Sequence, residues 1–300
     1  MSLPAEGSTG GPALAKPPDA ADEPSTVSQA LRQAQSTGLD RLDAQLLLCH
    51  HLQQARTWLI AHDDAPLAGT AARAFAVDCR RRASGEPLAY LLGEREFYGL
   101  RLLVSPDVLV PRPDTETLVD WALDLLPGLT APAPCVLDLG TGSGAIALAV
   151  AHRHPAARVT ATDLSPAALQ MAQANADRLG LALDWACGAW WQALPAAAQF
   201  DLVLSNPPYI AGDDPHLAAL RHEPLLALSP GGDGLSALQQ IIAGAPAHLR
   251  AGGWLLLEHG WDQAAPVAAA LRQAGFTQVS CRQDIAGRPR CSGGRRNRQV

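Results

Sequence analysis

Several sites that are easily recognised in a sequence are missing from this chain of 300 residues. Its six cysteines are scattered without a C-x-x-C pair, so we expect neither a disulfide scaffold nor a zinc site, and we predict a reducing cytoplasm as its location. None of its nine histidines has a recognisable ligand spacing, so no metal is expected. No stretch approaches ~18 uninterrupted apolar residues, which predicts no membrane partner. No basic region precedes an apolar block near the amino terminus, so no secretory signal is expected.

Positive charge is also scarce. Lys and Arg number 23 against 29 Asp and Glu, and the net charge is −6, so the chain has no overall basic footprint for direct binding of nucleic acid. We interpret the short basic runs at 80–82 and 295–298 as a solvated helix face and a frayed chain end. Apolar residues make up 48% and charged residues 17%, a balance that suits one large globular domain plus a small one.

The first third of the chain changes character twice. Residues 1–25 are rich in Gly, Pro, Ala and Ser without periodicity, which predicts a disordered tail. A capping-box pattern at Thr26 and a series of helical stripes then predict a small helical domain over residues 26–92. Residues 93–110 predict a β-hairpin connector, and the prolines and acids of 111–116 favour the start of a helix.

Strands and helices alternate through the remainder, residues 111–300. Buried strands are predicted at 135–139, 158–162, 200–205 and 253–258, each followed by a helical pattern except where a loop intervenes. Repeated βα units of this kind build a parallel sheet with helices on both faces. The segments around Val279 and Cys291 are expected to add an antiparallel edge pair. The predicted fold class is therefore α/β, a doubly wound, Rossmann-like sheet with a small N-terminal helical domain.

A glycine-rich loop joins the first of these strands to its helix. Its residues are Gly140, Thr141, Gly142, Ser143 and Gly144. Glycines let a backbone approach a ligand closely, and a helix amino terminus attracts negative charge. The spacing G-x-G-x-G departs from the dinucleotide fingerprint, and the preceding Asp138 would repel a pyrophosphate but can neutralise a sulfonium or ammonium group. The loop therefore favours a cationic, zwitterionic cofactor over NAD.

Asp163 ends the second strand of this series. An acid at that place can bind both ribose hydroxyls of a nucleoside in the crevice beside the sheet. The alternative is that Asp163 caps the helix that begins near Pro166. The order of strand end, glycine loop and acid favours ribose binding.

The tetrapeptide Asn206, Pro207, Pro208, Tyr209 follows another apolar strand. Two prolines stop the strand and remove two backbone donors, so the carbonyls of Asn206 and Pro207 are left without ladder partners. An amide side chain, free carbonyls and an aromatic ring at one strand end suit the binding of a planar NH2 group by its two hydrogens. The alternative is a proline-rich turn with a packing tyrosine.

Further segments extend the pattern over roughly residues 26 to 292. They are Gly-Glu-Pro-Leu-Ala-Tyr-Leu-Leu-Gly at 85–93, Glu-Phe-Tyr-Gly at 96–99, Val-Pro-Arg-Pro-Asp-Thr-Glu at 110–116, and the segments at 223–228, 232–235 and 284–288. Together with the glycine loop and the tetrapeptide, they resemble the class I S-adenosylmethionine-dependent methyltransferases. The resemblance is closer to the HemK/PrmC family, the peptide chain release factor glutamine methyltransferases.

The resemblance implies S-adenosylmethionine as cofactor and peptide chain release factors as protein substrates, with the Gly-Gly-Gln glutamine methylated. It implies cofactor binding by the glycine loop, Asp163, Trp190 and Asn206. Residues 26–92 would then be the substrate-docking domain, and a monomer is expected. The family usually has Asp or Ser before this tryptophan, whereas the chain has Ala189, so a polar contact to the adenine is expected to be missing. The alternative for Trp190 is ordinary core packing.

The predicted mechanism uses the tetrapeptide directly. The Asn206 side-chain oxygen and the Pro207 carbonyl accept the two amide hydrogens of the glutamine, and Tyr209 packs against the substrate and excludes water. Substrate binding is thus assigned to all four residues, Asn206, Pro207, Pro208 and Tyr209. Catalysis is assigned to Asn206, Pro207 and Tyr209. Glu223 and His259 are expected to have surface or packing roles.

Four other functions are weighed against this one. A ribosomal-protein glutamine methyltransferase is disfavoured by the segment that follows Pro111-Arg112. An adenine or guanine amino-group methyltransferase would share the tetrapeptide, but the acidic charge balance argues against it. A nicotinamide-dependent oxidoreductase is disfavoured by the glycine spacing. A catalytically silent binding protein with the same fold stays open, because fold alone does not establish function.

Overall fold

The computed structural model describes residues 24–129 and 131–297. Residues 1–23 of the predicted tail therefore lie outside the described residues. Contacts divide the chain into two units between Ser84 and Gly85, whereas the sequence analysis placed a boundary after residue 92. Each unit is described by itself.

The first unit consists of helices in its described part. They are α1 (Val27–Ser36), α2 (Arg41–Leu52), α3 (Arg56–Ala61) and α4 (Gly69–Ala83). Side chains cap the amino termini of α1 and α2. Thr26 Oγ1 accepts a hydrogen bond from the backbone N–H of Gln29 at 3.3 Å, and Asp40 Oδ1 accepts one from the backbone N–H of Leu42 at 2.7 Å. The apolar stripes of the helices bury one core, which contains Val27, Ala30, Leu47, Leu48, Leu59 and Phe75.

The second unit begins with a short helix and a hairpin. These are α5 (Leu88–Leu92), β1 (Glu94–Phe97) and β2 (Leu100–Leu103). The two turn residues, Tyr98 and Gly99, have φ of 52° and 80°, the left-handed values that a two-residue hairpin turn requires. The strands pair antiparallel, Phe97 opposite Leu100.

Seven strands of the described chain form the main sheet, in the order β5-β4-β3-β6-β7-β9-β8. They are β3 (Cys135–Leu139), β4 (Arg158–Asp163), β5 (Asp184–Cys187), β6 (Phe200–Ser205), β7 (Leu249–Glu258), β8 (Phe276–Gln283) and β9 (Pro289–Arg296). The first five in the order are parallel, and β9 is antiparallel to both its neighbours. The predicted doubly wound α/β sheet with an antiparallel edge pair is confirmed.

Helices cover both faces of this sheet. They are α6 (Glu116–Leu125), α7 (Ala145–Arg153), α8 (Pro166–Leu179), α9 (Leu225–Leu228), α10 (Ser236–His248) and α11 (Ala264–Gln273). Alternate strand residues point to opposite faces, so Val136 packs in a core with α6 and α7, whereas Leu137 packs in another with α10 and α11. Burial on both faces explains why these strands read as continuous apolar runs.

Two local features differ from the sequence expectations. Strand β5 had not been predicted, because its four residues are only partly buried at the sheet edge and lack an apolar run. Helix α6 begins at Glu116, and residues Pro113–Thr115 form a 3₁₀ turn before it. The prolines at 111 and 113 keep the residues before them extended, which delays the helix. Among the described residues, no helix is both long and apolar enough to cross a membrane.

Asn175 on α8 joins the hairpin to the glycine loop. Its Oδ1 accepts from the Leu103 backbone at 2.6 Å, and its Nδ2 donates to the carbonyls of Leu103 at 3.0 Å and Ser143 at 2.9 Å. The Asn175 side chain is fully buried. If it were removed, its backbone partners at Leu103 and Ser143 would lose their hydrogen bonds and no water could take its place.

We predict that Asn175→Ala lowers the free energy of unfolding by about 1–3 kcal/mol, because buried backbone groups lose their partner. Urea denaturation measures the change. Gln173→Ala is the matched control, since Gln173 is exposed on the same helix, and it should leave stability nearly unchanged. Equal stability of the two variants would contradict the role given to Asn175.

Candidate active site

Two neighbouring cavities lie where the parallel strands end. The first, about 340 Å³ and here called the glycine-loop cavity, is lined by Gly140, Asp163, Trp190 and Asn206 among others. The second, about 250 Å³ and here called the Glu258 cavity, is lined by Glu258, Tyr209 and Arg112, and again by Asn206. The chain leaves β3 toward β4 on one side and later enters β6 on the other, and such a switch of direction opens a crevice for ligands.

Close packing explains the glycines of the loop. Gly140 and Gly144 have φ of 72° and 85°, which favours glycine. A Cβ on Gly140 would lie 3.3 Å from the Trp190 ring, and one on Gly144 would lie 2.9 Å from Leu148 Cδ1. The Gly140 amide also donates to the Thr162 carbonyl at 2.9 Å, which ties the loop to the end of β4. All five loop residues except Gly144 line the glycine-loop cavity.

Asp138 supports the loop from below. Its Oδ2 accepts from Thr141 Oγ1 at 2.6 Å and from the Ala147 backbone at 3.2 Å, while Oδ1 has no partner among the described residues. Burial raises the pKa of Asp138 to about 7. Asp138 is absent from the lining of the glycine-loop cavity, so the structure gives it a supporting position where the sequence suggested a partner for a cationic group.

Asp163 lines the glycine-loop cavity. Its Oδ2 accepts from the Gly142 backbone at 2.8 Å and its Oδ1 from the Ser165 backbone at 2.9 Å, so its carboxylate is held against the loop. Burial raises its pKa, and the backbone donors oppose that shift. The cap of α8 is Ser165, whose Oγ accepts from the Ala168 backbone at 3.2 Å, which removes the capping alternative for Asp163.

The two adjacent tryptophans face different surroundings. Trp190 lines the glycine-loop cavity, and its backbone has a φ of 46°, an unfavourable value for a bulky residue. Trp191 instead packs inward, donating from Nε1 to the Ile241 carbonyl at 3.2 Å and stacking on His248. Ala189 lines the cavity with a methyl group in place of a polar side chain.

The corner after β6 presents free acceptors between the two cavities. Asn206 Nδ2 donates to Thr115 Oγ1 at 3.3 Å. Within residues 24–129 and 131–297, no hydrogen bond reaches Asn206 Oδ1 or the Pro207 carbonyl. The backbone after this corner is also held in place, because the Tyr209 carbonyl accepts a hydrogen bond from Gln263 Nε2 at 2.9 Å. The corner is thus rigid, with its amide nitrogen engaged and its amide oxygen available.

Tyr209 and Glu258 meet in the Glu258 cavity. The Tyr209 hydroxyl donates to Glu258 Oε1 at 3.3 Å. Burial raises the pKa of Tyr209 above its usual range, and burial also raises that of Glu258 to about 7. Pro207 is buried, while Pro208 lines the glycine-loop cavity.

Glu223 contacts the segment before α6 through two of its residues. Its Oε2 accepts from the Val110 backbone at 3.1 Å, and its Oε1 forms an ion pair with Arg112. Glu223 is buried, and the whole arrangement is structural. His259 is also buried, with Nε2 2.7 Å from Ser292 Oγ and a pKa that burial lowers, so it belongs to the core. In the described part of the chain, neither of them lines either cavity.

Several polar residues of the described site were not predicted from the sequence, among them Arg112, Thr115 and Glu258. The first two lie in the segment 110–116, which had been used to identify a family and the start of a helix. Glu258 is an acid at the end of a parallel strand, the same signal that had singled out Asp163. Among the described residues, no group of His, Cys, Asp and Glu is arranged to hold a metal ion.

Comparison with known proteins adds to this geometry. The PrmC N-terminal domain matches residues 25–93, and a methyltransferase domain matches residues 136–232. The release factor glutamine methyltransferase of Bordetella pertussis is 54% identical over 86% of this chain and 95% of its own length. That of Burkholderia pseudomallei is 49% identical over 91% and 96%. The chain belongs to the release factor glutamine methyltransferase family.

A solved structure shows the same fold at low identity. The methyltransferase from Pyrococcus furiosus is 17% identical, with a TM-score of 0.51, and the match covers 74% of this chain and 99% of that one. It supports the fold alone. Membership of the family makes the chain an S-adenosylmethionine-dependent methyltransferase.

We predict that the raised pKa of Asp138 makes the protein less stable as pH rises. The folded state binds this proton more tightly than the unfolded state, so the free energy of unfolding falls between the ordinary pKa of 3.8 and about 7. Asp138→Asn keeps an acceptor for Thr141 and Ala147 but cannot titrate. Urea denaturation across this range should show a smaller decline in Asp138→Asn than in the wild type. Parallel declines would contradict the assignment.

Proposed function

We propose that this chain methylates the side-chain amide nitrogen of the glutamine in the Gly-Gly-Gln motif of peptide release factors. The observation that carries the proposal is Asn206, whose unpartnered amide oxygen stands between the two cavities. One cavity suits the cofactor and the other suits a narrow side chain. The relatives at 49–54% identity bear the name of this activity, which supports the choice of substrate.

The residues of the glycine-loop cavity fit S-adenosylmethionine. Gly140 lets the Trp190 indole lie close against the loop, since a Cβ there would be only 3.3 Å from the ring, and Trp190 offers an aromatic side chain to the cavity. We assign the adenosine to Trp190, the ribose hydroxyls to Asp163, and the remaining contacts to the loop from Gly140 to Gly144 and to Asn206. When bound, the cofactor supplies an electrophilic methyl group on a positively charged sulfur. Unlike NAD, this cofactor contains no pyrophosphate, so the cavity needs no group to bind one.

Binding of the glutamine is assigned to the corner. Asn206 Oδ1 and the Pro207 carbonyl accept the two hydrogens of the carboxamide, and Pro208 and Tyr209 form the walls of its slot. Because Asn206 Nδ2 already donates to Thr115, the amide is held with its oxygen turned away from that contact. A carboxylate substrate has no hydrogens to offer these two acceptors, so glutamate is rejected.

The proposed catalysis depends mainly on aligning the substrate nitrogen with the methyl group of the cofactor. An amide nitrogen is a weak nucleophile because its lone pair is delocalised into the carbonyl. Two fixed acceptors orient that lone pair toward the methyl group and stabilise the positive charge that develops on nitrogen. Tyr209, which is partly buried against the core, keeps water from the reacting atoms.

Recognition of the whole release factor is assigned to the helical domain at residues 26–92, because a single glutamine offers little surface. The match of residues 25–93 to the PrmC N-terminal domain supports this assignment. We further propose that the protein acts as a monomer in the cytoplasm, without direct contact to nucleic acid. The net charge of −6 supports the last point.

The direct test is methylation of a purified release factor with labelled S-adenosylmethionine. We expect label in one peptide, on the glutamine of Gly-Gly-Gln, located by mass spectrometry. A release factor with that glutamine changed to alanine is the control and should take up none. Label on another residue, or equal label in the control, would refute the proposed substrate.

Asn206→Ala should lower turnover roughly 10²-fold or more, because it removes a positioned acceptor. Its affinity for S-adenosylmethionine, measured by calorimetry, should fall much less than its turnover, because the glycine loop, Asp163 and Trp190 still line the cofactor cavity. Asp163→Ala provides the contrast, since it should weaken cofactor binding first. Wild-type turnover in Asn206→Ala would rule out the role assigned to its side chain.

A further inference from the structure

Glu258 is a buried acid that the proposed function leaves unused. It ends β7, its residue is 1% exposed, and it lines the Glu258 cavity with Asn206 and Tyr209. Its Oε1 accepts from the Tyr209 hydroxyl, but its Oε2 has no hydrogen-bond partner among the described residues. A buried carboxyl oxygen without a partner destabilises the fold, so its retention calls for a functional explanation.

The groups around Glu258 come from three other elements. Tyr209 follows β6, Arg290 lies on β9, and Thr115 and Asp114 precede α6. Interactions with Thr115, Arg290 and Tyr209 favour the carboxylate, whereas burial and Asp114 favour the acid. Burial is the largest effect and brings the pKa to about 7.

The arginines near this cavity form ion pairs with other acidic residues. Arg290 pairs with Asp284 and Asp114, each at 3.1 Å, and Arg112, which lines the same cavity, pairs with Glu223. The neighbouring thiol of Cys291 on β9 is buried, with a pKa well above its usual range. Among the described residues that line this cavity, Glu258 is the one carboxylate.

Methyl transfer to an amide creates a need for such a group. The nitrogen that gains a methyl group must lose a proton, because an N-protonated amide is a strong acid. The acceptors assigned to the substrate, Asn206 Oδ1 and the Pro207 carbonyl, are amide oxygens and are too weakly basic to keep that proton. A carboxylate is a far stronger base.

We propose that Glu258 is the proton acceptor of the methyl transfer and takes the proton from the carboxamide nitrogen on Oε2. This inference rests on the proposed function. The nitrogen lone pair forms the bond to the methyl carbon, and the sulfur–carbon bond breaks with its electron pair remaining on sulfur. The N–H bond then breaks with its pair remaining on nitrogen, and the proton becomes the O–H of Glu258.

The charges balance in this step. A sulfonium and a carboxylate become a thioether and a carboxylic acid, so no net charge stays behind in a buried site, where charge is costly. The proton passes to solvent when the product leaves the cavity. A carboxyl group with a pKa near neutrality can both take the proton and release it again.

The test compares the pH dependence of turnover in the wild type, Glu258→Gln and Glu258→Asp, with release factor as substrate. Wild-type turnover should rise with pH and level off above about 7, because Glu258 must begin as the carboxylate. Glu258→Gln should lose about 10²-fold in turnover and lose this rise. Its amide oxygen can still accept from Tyr209, and its affinity for S-adenosylmethionine should be unchanged. Glu258→Asp keeps a base and should retain a pH-dependent rise at lower turnover.

A spectroscopic measurement separates this role from a structural one. In infrared difference spectra of the protein without substrate, the absorption of a protonated carboxyl should disappear as pH rises through about 7, and part of that change should be missing in Glu258→Gln. The remaining part belongs to Asp138, which is common to both proteins.

Each outcome decides the proposal. Wild-type turnover in Glu258→Gln, or reduced turnover with an unchanged pH profile, would overturn it. If Glu258→Gln does not fold, the infrared signal of the wild type and the profile of Glu258→Asp still decide. A wild-type protein that methylates no release factor at any pH refutes the proposed function instead, which keeps the two failures apart.

Discussion

The hydrogen bond from Asn206 Nδ2 to Thr115 Oγ1 organises the candidate site, because it engages the amide nitrogen and leaves the amide oxygen available, the orientation that the proposed function requires. It requires two segments about ninety residues apart in sequence to meet at the end of β6. Prolines hold both of them: Pro207 and Pro208 stop the strand, and Pro113 opens the 3₁₀ turn that carries Thr115. Backbone stiffness on both sides lets a 3.3 Å contact direct a side chain without further support.

The carboxylates at the ends of the parallel strands have different surroundings and hence different contacts. Asp138 is buried beneath the glycine loop and bonded to it, so it stabilises the loop. Asp163 is bonded to the same loop but faces the cavity, which leaves it able to bind a ligand. Glu258 lines the other cavity, and its buried Oε2 has no hydrogen-bond partner among the described residues. The strand ends supply acids at similar positions, and packing decides what each acid can do.

Much of the site was predictable because its signals are local. The glycine spacing of 140–144, the strand-terminal Asp163 and the proline pair of 207 and 208 each follow from a few neighbouring residues. Thr115 and Glu223 were not predictable in this way, since their partners, Asn206 and Val110, lie about ninety and more than a hundred residues away. Strand β5 was missed because a short, half-exposed edge strand carries little apolar signal.

By itself the sequence determined the α/β order of strands and helices, the glycine loop after the first strand of the parallel series and the proline-stiffened corner at Asn206. Each of these depends on backbone conformation or on short-range hydrophobic pattern, which neighbouring residues largely control. Only the tertiary structure decided that Asp138 lies outside the glycine-loop cavity, that Trp191 packs inward on α10, and that Glu258 and Asn206 line the same cavity. Those choices depend on burial and on contacts between distant segments, which arise only when the sheet is assembled.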